Sequence, residues 1–149
     1  MTQKTISDLS YQIIGAAIEV HKELGPGLLE RVYEVCFCDE LIHRGLQIQQ
    51  QVWVPVNYKG RGLDVDLKLD VLVEDTIVCE LKTVEYVLPV HQAQLMTYMK
   101  LLQKPKGLLI NFYTDNVKSQ MKSFVNTIQN YQKNKLFSSS MPPCLTKMS

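Results

Sequence analysis

The sequence predicts an α/β (α+β) fold with an N-terminal α-hairpin and an αβββαβ core, in which a mixed central sheet is flanked by helices. Three observations carry that assignment. Residues 6–24 repeat apolar side chains at steps of three and four, and Gly25-Pro26-Gly27 parts them from a second helical stretch that ends at Gly45. Residues 52–84 alternate apolar and polar side chains around tight turns. A proline-led helical stretch at 89–100 then precedes an apolar run at 107–113. Periods of 3.6 and 2 mark amphipathic helices and half-buried strands respectively, so the chain reads as one layered domain.

The first helix sets Ile6, Leu9, Ile13, Ala17, Val20 and Leu24 along one stripe. Gly25-Pro26-Gly27 stops it, and a second helix starts near Leu28 and runs to Gly45, a residue suited to the left-handed position past a helix end. Val52, Val54, Val56 and Tyr58 alternate with Trp53, Pro55 and Asn57. Pro55 has no N–H to give a ladder, which puts this strand at an edge. After the turn Lys59-Gly60-Arg61-Gly62, the odd positions from Leu63 to Val73 are all apolar, which predicts one continuous strand with one buried face. Glu74-Asp75 turns the chain into a third strand, Thr76 to Val84, with Ile77, Cys79 and Leu81 on one face and Val78, Glu80 and Lys82 on the other. Pro89 suits the first turn of a helix reaching Lys100. Gly107 to Tyr113 predicts a buried strand, and Val117, Met121, Phe124, Val125, Ile128 and Tyr131 predict a closing helix over 116–133. Residues 1–137 thus form a single domain, and the aperiodic residues 138–149 are expected to be a flexible tail.

Composition narrows the function classes. A chain of 149 residues with 46% hydrophobic side chains and a net charge of +1 is not a disordered one, and it can bury about two-thirds of its unfolded surface. No 18-residue stretch is free of charge, which excludes a helical membrane span. The opening MTQKTISDLS has no apolar segment of a secretory leader, and Cys36, Cys38, Cys79 and Cys144 match neither a zinc site nor a disulfide framework. A cytoplasmic protein with reduced thiols is expected. Residues 1–99 carry 14 acids and 8 bases, whereas residues 100–149 carry 8 lysines and one acid, Asp115. Such a split suits a protein that holds a cation in one place and a polyanion in another, although two solvated faces of opposite sign are its commoner cause.

Asp70 and Glu80-Leu81-Lys82 are the constellation that stands out. Residues i and i+2 of a strand share a face, so Glu80 and Lys82 emerge together, and a short turn brings Asp70 alongside. Two carboxylates beside an ammonium, with the Leu81 carbonyl as a further oxygen, suit Mg²⁺, a hard cation that keeps several waters. Lys82 can then orient or deprotonate the attacking water and offset charge on a pentavalent phosphorus. An ordinary charged pair on a solvated sheet face is the competing explanation. Against it, both carboxylates are embedded in apolar runs, Ile77-Val78-Cys79-Glu80-Leu81 and Leu69-Asp70-Val71-Leu72-Val73, where they need a cation or donors. Glu30 and Tyr33 share a helix face that can reach such a site, and Glu30 also sits where a helix N-terminus favours an acid without any catalytic role. His91, Gln94 and Tyr98 form a polar stripe that suits either a phosphate or base, or a wet helix face. His21 and His43 form no metal triad with His91, and Trp53 is read as a sheet or interface aromatic.

Gly27-Leu-Leu-Glu30-Arg-Val-Tyr33, within AAIEVHKELGPGLLERVYE, resembles the signature of the GxxExxY proteins, a small family assigned to the PD-(D/E)XK nuclease superfamily. The resemblance continues through KLDVLVED, IVCELKTVE, VHQAQLMTYMKLL and GLLINF. It implies a restriction-endonuclease-like core and a Mg²⁺- (or Mn²⁺-) dependent nuclease that hydrolyses nucleic acid, DNA foremost, leaving 5′-phosphate and 3′-hydroxyl ends. By that resemblance Asp70, Glu80 and Lys82 are the core catalytic set, and Glu30 matches the helix acid that often completes it. Gln94 and Tyr98 match residues that position DNA, with Tyr33, Lys68 and His91 in support. Lys68 stands where the family often has Arg, and Leu69 where a small residue is usual. The implied partners are nucleic acid and, by family analogy, a second copy in a homodimer, with no membrane. The alternative is a non-catalytic nucleic-acid-binding or protein-interaction module on the same fold, which the intact set of Glu30, Asp70, Glu80 and Lys82 opposes.

Overall fold

In the computed structural model, residues 3–126 are described. The elements are α1 (Gln3–Leu24), α2 (Glu30–His43), β1 (Ile48–Trp53), β2 (Val56–Tyr58), β3 (Arg61–Leu63), β4 (Lys68–Val73), β5 (Ile77–Lys82), α3 (Pro89–Leu102), β6 (Lys106–Asn111), α4 (Val117–Gln120) and β7 (Lys122–Val125). A five-stranded sheet has the order β1-β4-β5-β6-β7, and β2 pairs only with β3. β5 and β6 are parallel and the other neighbours antiparallel. The parallel pair requires a crossover, which α3 supplies.

The sheet divides two cores. On one face, Ile13, Ala17 and Val20 of α1 and Tyr33, Phe37 and Leu41 of α2 pack on Val71, Val73, Ile77, Cys79, Leu81, Leu108 and Ile110. On the other, Leu95, Tyr98 and Met99 of α3 pack on Leu69, Leu72, Val78 and Leu109. The alternation of β5 is as the sequence predicts, and the layered α/β architecture with its leading helix pair is observed.

Three expectations are corrected. The strand expected at 52–58 breaks after Trp53, because Pro55 offers no donor and the Val54 N–H bonds Leu67 O at 2.8 Å instead; residues 56–58 then leave the main sheet to pair with β3. The strand expected over 63–73 is likewise two pieces, with Leu63 and Val65 exposed. Its odd residues do not share a face either: Leu69 packs toward α3, whereas Val71 and Val73 pack toward α1 and α2. The facing reverses at Asp70, opposite Gln51, whose φ of 51° is left-handed; both residues drop out of a ladder that resumes in the same register on either side. Finally, the helix expected over 116–133 is one turn, Val117–Gln120, begun by Asn116, whose side chain accepts from the Ser119 N–H. Residues 122–125 then pair with β6, satisfying its open backbone edge. The remainder of that expected helix, the tail at 138–149 and Cys144 lie outside the described residues.

Gly107 shows why α3 sits where it does. A Cβ there would stand 2.5 Å from Met99 Sδ and 3.1 Å from Leu95 Cδ1, both fully buried side chains. The close approach of Met99 and Leu95 to β6 therefore depends on this position having no side chain. Gly107→Ala is expected to lower stability by about 1–3 kcal/mol, read as a lower urea midpoint with an unchanged slope.

Candidate active site

β4 and β5 pair from Val73↔Ile77 to Val71↔Cys79, and the ladder stops before Asp70 and Glu80. Side chains complete what the backbones leave open. The Asp70 N–H donates to Glu80 Oε1 at 2.9 Å, and the Leu81 N–H donates to Asp70 Oδ2 at 2.8 Å. The two carboxylates are thereby locked into the point where the strands part, with Glu80 only 5% exposed. From the other flank, Gln51 Nε2 donates to Glu34 Oε1 at 2.8 Å and, at 3.4 Å, to Asp70 Oδ1. Gln50 Nε2 adds a bond to Glu34 Oε2 at 3.3 Å.

Burial raises the pKa of Asp70 against bonds from the Leu81 amide and Gln51 and the nearby Lys82 ammonium. Glu80 is pushed from the ordinary 4.5 up to about 8, by burial first and the Asp70 charge second, against the Asp70 amide and Lys82. Glu30 and Glu34 are both raised, again by burial and then by Asp70, and Lys82 opposes the shift at Glu30. All four carboxyls are thus raised, against the Lys82 charge at Glu30, Asp70 and Glu80 and the Arg31 charge at Glu34, and such a field favours cations.

Among the described residues, no three His, Cys, Asp or Glu side chains form a metal-holding group. A closed protein cage is therefore not what the residues offer. Asp70 and Glu80 are an interlocked oxygen pair, and the Leu81 carbonyl, flanking the amide that bonds Asp70, adds a neutral oxygen. That donor chemistry fits Mg²⁺ or Mn²⁺, which is bound through one or two carboxylates and keeps waters for the remaining positions. Glu30 shares the field of Asp70 and Lys82.

The other sequence candidates separate. Tyr33 is fully buried and stacked on Phe112, with centroids 4.5 Å apart and planes at 6°. Its hydroxyl donates to Gly25 O and accepts from the Leu28 N–H, so it ties down the α1–α2 turn and thereby sets where α2 starts at Glu30. His91 Nδ1 accepts from the Leu88 N–H at 3.0 Å, serving the N-terminus of α3. Gln94 Nε2 donates to the Tyr98 hydroxyl at 3.0 Å. Burial raises the pKa of that hydroxyl, and the Glu80 and Asp70 charges raise it further, so Tyr98 joins the electrostatic field of the site. Lys68 lies with its Nζ 4.3 Å from the Trp53 ring centroid.

Sequence reasoning missed three residues. Glu34, one turn beyond Glu30, was legible from the i, i+4 rule. Asn111 was legible as an amide inside the apolar run GLLINFY. It is buried and accepts from the Val84 and Tyr113 N–H groups while donating to Val84 O, which fastens the chain leaving Lys82 to the end of β6. Gln51 carried no signal, because a left-handed conformation is not readable from a glutamine.

The pKa shifts fix the sign of a pH effect. A carboxyl whose folded pKa is raised contributes stability that is full below its unfolded value and lost as pH rises through the folded value. For Glu80 that window runs from 4.5 to about 8. Thermal melts of the metal-free protein should fall between about pH 5 and about pH 8. Glu80→Gln, whose amide oxygen still accepts from Asp70, should flatten that slope and raise the melting temperature at its alkaline end.

A sequence model of the PD-(D/E)XK nuclease superfamily matches residues 7–124. No curated protein matches the chain. Among solved structures, the crystal structure of SSO0001 is similar, with 16% identity and a TM-score of 0.41 over 88% of this chain and 75% of that chain.

Proposed function

The chain belongs to the PD-(D/E)XK nuclease superfamily, and we propose that it is a Mg²⁺- or Mn²⁺-dependent nuclease hydrolysing phosphodiester bonds of nucleic acid, DNA foremost. The observation that carries this reading is the interlocked Asp70–Glu80 pair with Lys82 in its field. When bound, the divalent ion supplies Lewis acidity at the phosphate and lowers the pKa of water. Asp70 and Glu80 would hold it, and its positive charge would offset the repulsion between the two ionised carboxylates. Lys82, two residues beyond Glu80 on the same face, orients the attacking water with its ammonium, the water's proton passing to solvent, and faces the charge that builds on phosphorus. Glu30, in the field of Asp70 and Lys82, would support a second metal or the water shell. The Gln94–Tyr98 pair holds the nucleic acid, and attack on phosphorus leaves 5′-phosphate and 3′-hydroxyl ends. Lysines of the C-terminal third take up backbone phosphates, which makes affinity fall with salt. A cytoplasmic location, with Cys36, Cys38 and Cys79 as free thiols, and a homodimer acting on its substrate belong to the same reading.

Lys82→Ala and Asp70→Asn should each retain the melting transition and bind labelled oligonucleotide as the parent does. Mg²⁺-dependent release of 5′-phosphate ends should drop by at least about 10²-fold. Full activity in either variant contradicts the mechanism.

A further inference from the structure

Two exposed aromatic rings outside both cores each carry a cation. Trp53, at the end of β1, is 54% exposed and has Lys68, its cross-strand partner, with Nζ 4.3 Å from the ring centroid. Tyr58, in the β2–β3 ribbon, is 50% exposed with Lys59 Nζ 5.4 Å from its centroid, and Arg61 is its partner in the ribbon. Neither ring contributes to the hydrophobic clusters that hold the fold. The Trp53–Lys68 rung lies two residues along from Gln51 and Asp70, about 7 Å of strand. Its neighbours Val52 and Leu69 pack toward α3, so Trp53 and Lys68 point to the opposite face, the one on which α2 packs. Asp64 and Asp66 follow the ribbon, but Asp64 Oδ1 is turned onto the Asp66 N–H, and three cations outnumber them.

A ring with an ammonium over one face matches one nucleotide, the base on the ring's other face and the phosphate on the cation. A duplex keeps its base faces stacked on one another, so a ring on a surface ribbon can stack only on an unpaired base. We propose that Trp53 and Tyr58 form a stacking platform for a single strand, with Lys59, Arg61 and Lys68 on its phosphates. The substrate class is then nucleic acid with an unpaired segment beside the carboxylates. This inference rests on the nuclease reading, and its test separates the two.

Trp53 is the single tryptophan of the chain, so intrinsic emission reports on it alone. The full-length protein is titrated, with Ca²⁺ present in place of Mg²⁺, with fluorescein-labelled oligo-dT and with a labelled duplex, following tryptophan emission and anisotropy together. Emission should quench in step with anisotropy for oligo-dT. Trp53→Ala should weaken its binding about tenfold, the scale of one lost stacked base, while Trp53→Phe restores most of the affinity. Oligo-dT binding with unchanged emission, undiminished binding by Trp53→Ala, or binding of the duplex alone overturns the platform and leaves the nuclease reading standing. Failure of both probes to bind, together with absent Mg²⁺-dependent cleavage, overturns both.

Discussion

The structure turns on an exchange between two neighbouring strands: the amide of Asp70 bonds the Glu80 carboxylate, and the amide of Leu81 bonds the Asp70 carboxylate. These bonds take the place of the next ladder rung, so the pleat can be broken at Asp70 without leaving its amide unsatisfied. The break has visible costs. Gln51 adopts a left-handed φ, a conformation that costs a non-glycine residue about 1–2 kcal/mol, and the β4 side chains change faces there. An amide bond to a charged group contributes only about 1.5–3 kcal/mol. For Glu80 that gain, added to the Lys82 field, is outweighed by burial and by the Asp70 charge, since the net shift is upward. The pair is therefore incomplete as a structural device.

The remaining elements aim other groups at that pair. Tyr33 and Phe112 stack beneath the first turn of α2, and the Tyr33 hydroxyl gathers the Gly25–Leu28 turn, which fixes where Glu30 begins the helix. Asn111 does the same for the exit of β5, holding Val84 just past Lys82. Across the sheet, the bare backbone of Gly107 lets α3 sit close enough for Tyr98 to feel the Glu80 and Asp70 charges. Side chains from both sides of the sheet thus share one electrostatic field near the ends of the parallel strands β5 and β6.

Much of this was legible in the sequence because it depends on local rules. The order of helices and strands follows from periodicity, and Asp70, Glu80 and Lys82 stood out as charged groups in apolar runs on strands joined by a tight turn. What escaped was decided by tertiary context. Period-two reasoning assumes an unbroken pleat, so it could not see the reversal at Gln51 and Asp70. Val117, Met121 and Phe124 have helical spacing, yet Val117 and Met121 pack on one core and Phe124 on the other, because the open edge of β6 recruits residues 122–125 as a strand. Tyr33 and His91 were singled out for their hydrogen-bonding capacity, and the fold spends that capacity on a turn and a helix N-terminus.

Calorimetric titration of the metal-free protein with Mg²⁺ at neutral pH, in buffers of different ionisation enthalpy, is the most direct test of the claim that the Asp70–Glu80 pair awaits a divalent ion. The expected result is saturable binding accompanied by proton release, since carboxyls with raised pKa must deprotonate to bind, with affinity lost in Glu80→Gln and Asp70→Asn. No heat at millimolar metal, or binding unchanged in both variants, would contradict it.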